Sequence, residues 1–241
     1  MSIEVPFVIG HRGAAGLAPE NTLVSLRRAR IEGARWVEFD VMLSGDGVAL
    51  LFHDDTLNRT TNGKGLIAKH DFSDLRELDA GSWFNATFAG ERIPSFAETI
   101  DVLAAEGLGA NVEIKPTPGL ARETAEAACR MIMENWPDSM PLVISSFEKD
   151  AMAVARDMLP DRDRAMLFNR LPKNWQSVVG KLDCNAVHVS NRSVTEKVVE
   201  AVRTQGLPVR VYTVNDPLRA ETLREWGVSS VFTDRPDLIR D

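Results

Sequence analysis

The sequence predicts an α/β barrel, a closed ring of parallel strands with helices outside it. Three observations carry this expectation. Short apolar, β-branched runs alternate with segments of helical period, eight such runs in all. The chain has 241 residues and is 44% hydrophobic, which supports one sizeable core at a length where such a barrel is still a single domain, 1–241. Charged side chains stand at the ends of several of these runs, as His11-Arg12, Glu38-Phe39-Asp40, His53 and Glu113-Ile114-Lys115. Buried charge costs several kcal/mol unless it is paired or binds metal, so strands ending this way point to chemistry.

The expected strands run from about Val5 to Gly10, Trp36 to Met42, Gly109 to Ile114, Leu142 to Ser146, Arg164 to Phe168, Ala186 to Val189, Val209 to Val214 and Ser230 to Phe232. Helical stretches between them include Leu23 to Glu32, Gly119 to Asn135, Glu148 to Leu159, Thr195 to Gln205 and Pro217 to Trp226. Several begin with capping residues: Asn21-Thr22, Ser193 to Thr195, and Asn215-Asp216 followed by Pro217 in a first turn. From about residue 45 to 95 the rhythm breaks. That stretch is rich in Gly, Asp, Asn and Thr and reads as a small insertion after the second strand, packed over the barrel mouth.

The insertion opens with Asp46-Gly47 between Val41-Met42-Leu43 and Val48-Ala49-Leu50-Leu51-Phe52, a strong two-residue hairpin signal. With Asp46 and Gly47 as the two turn residues, 45 pairs with 48 and Asp40 with His53, which brings an imidazole onto the face of the Asp40 carboxylate.

Composition excludes several function classes. Charged residues make up 26%, net charge is −7 and the pI is near 5.2, so no basic footprint supports nucleic-acid or anionic-membrane binding. The N-terminus, Met1-Ser2-Ile3-Glu4-Val5-Pro6, lacks a basic region followed by a long apolar run. Nowhere do eighteen apolar residues follow one another. The expectation is a soluble, cytoplasmic protein without stable membrane association; the pattern assigns no oligomer interface. Cys129 and Cys184 are neither spaced as a metal clip nor numerous enough for a disulfide framework, and read as small buried hydrophobes. Gly10-His11-Arg12-Gly13 and Gly63-Lys64-Gly65 match no nucleotide-binding loop.

Strand side chains alternate, so Glu38 and Asp40 share a face with Trp36 while Val37, Phe39 and Val41 face the outer helices. Asn111, Glu113 and Lys115 likewise share a face, opposite Ala110, Val112 and Ile114. Three converging carboxylates, Glu38, Asp40 and Glu113, repel one another unless a cation joins them. All-oxygen ligation favours Mg²⁺ or Ca²⁺ over zinc. A half-wet strand could show Glu-x-Asp by chance; the second polar-inward strand argues against that. His11 and His53 beside a metal suggest an acid and a base, and Arg12 and Lys115 supply fixed positive charge suited to a phosphate. His70 and His188 have no such company and are assigned structural roles.

Together these residues resemble those of the glycerophosphodiester phosphodiesterases. The matching blocks are His11-Arg12-Gly13, Pro19-Glu20-Asn21-Thr22, Glu38-Phe39-Asp40-Val41, His53-Asp54-Asp55-Thr56-Leu57-Asn58-Arg59-Thr60-Thr61, Glu113-Ile114-Lys115, Ser145-Ser146-Phe147, Tyr212-Thr213-Val214-Asn215 and Thr233-Asp234-Arg235-Pro236, in family order along the whole chain. The resemblance implies a TIM (β/α)8 barrel with a small insertion after the second strand. It implies hydrolysis of glycerophosphodiesters to glycerol 3-phosphate and an alcohol, with one divalent metal ion held by Glu38, Asp40 and Glu113. By motif position His11 and His53 are the acid/base pair, Arg12 and Lys115 the phosphate binders, and the small-molecule diester the partner. Two departures from the family pattern stand out: Tyr212 stands where Trp is usual near the glycerol, and Ser229-Ser230 replaces Asp-Gly before the last strand. A phosphate-binding barrel without activity would have lost a histidine or a carboxylate, and all are present. A sugar-phosphate aldolase or isomerase would want a Schiff-base lysine or an enediol base, whereas Lys115 sits beside a metal carboxylate.

Overall fold

The computed structural model describes residues 4–241; Met1 to Ile3, the first part of the N-terminal stretch weighed above, lie outside the described residues. Strand β1 (Val8–Gly10) pairs in parallel with β2 (Trp36–Leu43) on one side and with β9 (Ser230–Thr233) on the other, which closes the sheet into a ring. Between β2 and β9 the ring continues in order through β4 (Gly109–Ile114), β5 (Leu142–Ser146), β6 (Asp163–Phe168), β7 (Ala186–Ser190) and β8 (Val209–Tyr212), each parallel to its neighbour. The short β3 (Ala49–Leu51) adds antiparallel to the outer part of β2. With helices between successive ring strands, this is the predicted TIM barrel.

The outer helices are α1 (Leu23–Ile31), α3 (Phe96–Glu106), α4 (Ala121–Asn135), α5 (Lys149–Met158), α6 (Trp175–Lys181), α7 (Glu196–Arg203) and α8 (Pro217–Glu225), while α2 (Phe72–Leu75) is one turn within the segment after β3. Thr22, Thr195 and Asp216 are the N-caps that the sequence marks, each side chain accepting from a backbone N–H of the first turn. Such a cap contributes about 1 kcal/mol. Two of the outer helices lie outside the marked stretches. Helix α3 opens with a capping box in which Ser95 and Glu98 satisfy each other's backbone N–H groups. Helix α6 has seven residues and no side-chain cap, which leaves little signal in the sequence. Strand β1 begins three residues later than expected, at Val8, because Pro6 has no N–H for a ladder.

The alternation predicted for the polar strands holds. Val37, Phe39, Val41, Ala110, Val112 and Ile114 are fully buried against Leu26, Leu103 and Ile132 of the surrounding helices. Facing inward, Ile9, Trp36, Val143, Ala165, Ala186 and Phe232 form an apolar cluster in the lower part of the barrel. Toward the C-terminal ends of the strands this interior turns polar, with Glu38, Asn111 and His188, then Asp40 and Glu113. After β3 the chain builds a small cluster of its own from Met42, Leu50, Phe52, Leu57, Ile67, Leu75, Ala80 and Ile93. Cys129 and Cys184 are free and buried, and burial pushes both thiols up to about 12.

The hairpin register differs from the prediction by one residue. The turn has three residues, not two: Ser44 N–H donates to the Val48 carbonyl, Gly47 N–H donates to the Ser44 carbonyl, and Gly47 takes the left-handed φ of 84°. This is the three-residue loop in which a left-handed glycine follows a tight turn. Val41 therefore faces Leu51 and Leu43 faces Ala49, so Asp40 lies opposite Phe52, whose N–H donates to the Asp40 carbonyl, and not opposite His53. His53 nevertheless reaches the Asp40 side of the barrel, because the ladder ends at Leu51 and the chain turns in over the mouth.

Candidate active site

The first loop carries His11 and Arg12 from the end of β1 back to α1. It fits only because two residues lack side chains: a Cβ on Gly10 would collide with the Gly13 carbonyl, and Gly13, at φ +85°, packs against the Ser25 backbone. Arg12 itself has φ 49°. The fold of this loop aims the Arg12 N–H at Glu38 Oε2, 2.9 Å away, and places Arg12 Nη1 2.6 Å from Glu20 Oε1. Arg12 Nε lies 3.2 Å from Asp40 Oδ2 as an ion pair, out of line for a hydrogen bond. Burial works against this cation, but Asp40, Glu20 and Glu38 outweigh it and hold the guanidinium protonated.

Glu38, Asp40 and Glu113 are buried at 3%, 2% and 9% exposure, and each offers an oxygen within 4.8 Å of those of the others. Glu38 comes from β2 one register step below Asp40, and Asp40 is the direct neighbour of Glu113 on β4. Burial, then the charges of Asp40 and Glu113, pushes the Glu38 carboxyl well up. Burial and Asp40 push Glu113 up to about 8. Burial would raise Asp40 as well, but Arg12, His53 and Lys115 overcome it and keep Asp40 below the usual carboxylate range. Lys115 Nζ stands 3.8 Å from Glu113 Oε1. A trio in which two carboxyls resist ionisation, and in which Glu38 Oε1 is buried without a hydrogen-bond partner among the described residues, fits a hard divalent cation. Its oxygen-only donors do not favour zinc.

Both predicted histidines line the cleft of about 780 Å³ at the barrel mouth, together with Arg12, Asp40, Glu113 and Lys115. Each is held by a carboxylate. His11 Nδ1 lies 2.6 Å from Asp234 Oδ1, and His53 Nδ1 lies 2.6 Å from Asp54 Oδ1. Burial raises Asp234, but its contacts with His11 and Asn215 prevail and keep it low. The Arg59 hydrogen bonds hold Asp54 lower still, and His53 adds to them. Two ionised acceptors fix the proton on Nδ1 of each ring, which leaves each Nε2 for chemistry. His11 Nε2 is 3.9 Å from Glu38 Oε2. Burial, followed by Arg12 and Lys115, outweighs Asp40 and depresses the His53 pKa.

Several functional groups escaped the sequence reading, although all lie within the motif blocks. Asn21, at φ 55°, donates to Asp40 Oδ2 and accepts from the Asp40 N–H. Arg59 grips Asp54 and Glu20 together, and Glu20 in turn holds Arg12, so one chain of ion pairs links the His53 loop to the His11 loop. An acid directly after His53 was a signal for Asp54. Asp234 had no signal beyond its motif block that it meets His11, since only ring closure brings β9 beside β1. Tyr212 lines the cleft and stacks edge-on against Phe147 at 5.8 Å; burial and then Glu113 raise its hydroxyl pKa.

The family profile described as the Glycerophosphoryl diester phosphodiesterase family matches residues 11–238. The chain belongs to this family. It is an enzyme of the phosphodiesterase class. A glycerophosphodiester phosphodiesterase of Caldanaerobacter subterraneus subsp. tengcongensis is 30% identical to this phosphodiesterase, with 96% of this chain and 95% of the relative covered. One of Bacillus subtilis is 29% identical over 96% of this chain and 84% of its own length. Among solved structures, an Oleispira antarctica phosphodiesterase in complex with the product sn-glycerol-3-phosphate superposes with a TM-score of 0.95 at 41% identity, covering 97% of this chain and 94% of that one. Among the described residues of this phosphodiesterase, no helix is long and apolar enough to cross a membrane.

Proposed function

We propose that this phosphodiesterase hydrolyses glycerophosphodiesters to glycerol 3-phosphate and an alcohol, in the cytoplasm, using one Mg²⁺ or Ca²⁺ held by Glu38, Asp40 and Glu113. The observation that carries the reading is the pair of imidazoles, each anchored through Nδ1 by a carboxylate at 2.6 Å, in the same cleft as the buried acidic trio. The glycerol 3-phosphate bound as product in the Oleispira structure supports the choice of product.

A divalent cation held by Glu38, Asp40 and Glu113 would supply positive charge for the phosphate and make the neighbouring glycerol hydroxyl easier to deprotonate. One neutral imidazole takes that hydroxyl's proton at Nε2 while the other, starting as the imidazolium, gives its Nε2 proton to the departing alcohol. The hydroxyl oxygen attacks phosphorus, the bond to the alcohol breaks, and a cyclic phosphate forms. Water then opens the ring with the two histidines exchanging roles. Lys115 and Arg12 hold the phosphate, Arg12 with the donors that Glu20 and Asp40 leave free. Tyr212 takes the place near the glycerol.

The test is an assay over glycerophosphocholine, glycerophosphoethanolamine and glycerophosphoglycerol, detecting glycerol 3-phosphate with and without chelator. His11→Ala and His53→Ala at saturating metal should each lose roughly a hundred- to ten-thousand-fold in turnover. Near-normal turnover by either variant removes that residue from the chemistry, and activity indifferent to chelator removes the metal.

A further inference from the structure

Beneath the cleft, and sharing His11, Glu113 and Tyr212 with it, lies a small cavity of about 20 Å³ whose deeper walls are Glu38, Asn111, His188, Leu167 and Phe232. A space of that size holds one water molecule. Three polar atoms of its lining residues are buried with no hydrogen-bond partner among the described residues: Glu38 Oε1, Asn111 Oδ1 and His188 Nδ1. Burying a polar atom without a partner is unfavourable, so three such atoms on residues that line one small space call for a shared partner.

The protonation of each group follows from its other contact. Arg210 Nη1 lies 3.1 Å from His188 Nε2, and a guanidinium can only donate, so Nε2 accepts and the neutral ring carries its proton on Nδ1. Asn111 Nδ2 donates to Ser145 Oγ at 2.9 Å, which leaves Oδ1 an acceptor. Glu38 Oε2 accepts from the Arg12 N–H, and Glu38 Oε1 keeps lone pairs both for a cation and for a second donor. One donor and two acceptors are the complement of a water, which accepts once and donates twice. A cation at this point would face the Nδ1 proton, and an apolar occupant would leave all three atoms unsatisfied.

We propose that a resident internal water sits in this cavity, accepting from His188 Nδ1 and donating to Asn111 Oδ1 and Glu38 Oε1, and that Arg210 and His188 are positioning residues for the Glu38 carboxylate. Arg210 fixes the His188 tautomer, His188 orients the water, and the water orients Glu38 from below while the Arg12 N–H holds it from the side. The positioning role rests on the reading of Glu38 as a metal ligand; the water itself does not. Outer partners of this kind are worth about 10- to 100-fold in metal affinity.

A high-resolution crystal structure of the full chain, metal-free and Mg²⁺-loaded, tests the water. The expected result is a water peak within hydrogen-bond distance of all three atoms in both states; absence of the peak, or a peak with metal-like distances, overturns the proposal. Calorimetric titration with Mg²⁺ and Ca²⁺ tests the positioning. His188→Leu should weaken cation binding about 10- to 100-fold with its fold retained by circular dichroism. His188→Asn, which keeps a donor near the Nδ1 position, should stay close to the unaltered protein. Equal affinity in the Leu variant, or equal loss in both variants, overturns the positioning role. If the unaltered protein binds neither cation, the positioning role and the proposed metal chemistry fall together, while the water peak is judged on its own.

Discussion

His11 and Asp234 meet at 2.6 Å across 223 residues of sequence, because β1 and β9 are neighbours only once the barrel has closed. The carboxylate is itself braced, with Asn215 Nδ2 donating to Asp234 Oδ2 at 2.7 Å and the Asp234 N–H donating to Asn215 Oδ1 at 2.8 Å. Asp234 thus sets which nitrogen of His11 faces the cleft.

Replacing Asp234 with Asn should therefore damage turnover more than binding. An amide can donate to Nδ1, which moves the ring proton to Nε2 and removes the lone pair that the proposed chemistry needs. Turnover should fall roughly a hundred- to ten-thousand-fold with KM little changed, as steady-state kinetics at saturating metal would report. A kcat near that of the unaltered protein would show that the tautomer is set by something else.

In metal-free protein the acidic trio is a source of repulsion. At about pH 9, where the Glu113 carboxyl that burial and Asp40 push up to about 8 is ionised, Glu113→Gln removes one of its charges and should raise the metal-free melting temperature, by about 2–4 °C if the relief is about 1 kcal/mol. The same variant should bind Mg²⁺ or Ca²⁺ more weakly and gain less from either ion. Scanning calorimetry with and without metal reads both effects, and a lower metal-free melting temperature would contradict them.

His188 makes stability depend on pH. The ring is fully buried, and burial, followed by Arg210, depresses its pKa well below the usual value, so the folded protein refuses a proton that the unfolded chain accepts. Unfolded chains then hold more protons, and stability rises with pH in that window. The contribution is complete above about pH 6.5 and declines as pH falls below it, by about 1.4 kcal/mol per pH unit for one site. Urea unfolding at pH 7, 6 and 5 should show that His188→Asn has a shallower decline than the unaltered protein. Parallel slopes would rule out this assignment.

Two of the left-handed glycines, Gly47 and Gly13, differ in what surrounds them. A side chain at Gly47 meets nothing within 4 Å, whereas one at Gly13 runs into the Ser25 backbone. Gly47→Ala should cost roughly 1–2 kcal/mol from backbone strain alone. Gly13→Ala should cost more than that and disturb Arg12 and His11 as well, so its activity loss should exceed its stability loss in side-by-side melts and assays.

The alternation of side chains along a strand made much of this site legible beforehand. Val37, Phe39 and Val41 had to face apolar helices, so Glu38 and Asp40 had to face inward, and the same reasoning placed Glu113 beside them. Periodicity is a local property, and it survives folding unchanged. The hairpin shows where locality ends. Asp46-Gly47 announced a turn, but whether two or three residues formed it depended on the Ser44 hydrogen bonds and the ladder around them, and that single residue moved His53 out of direct pairing with Asp40.

The amino-acid sequence by itself determined the barrel, the faces of its strands, the helix caps at Thr22, Thr195 and Asp216, and the inward set of carboxylates. Only the tertiary structure decided which carboxylate holds which histidine, how Arg59 and Glu20 tie the two histidine loops together, and that Glu38, Asn111 and His188 share one small cavity. The division has a physical cause. Side-chain direction follows from backbone geometry within a few residues, whereas a hydrogen bond between distant strands exists only after ring closure has fixed their separation and register.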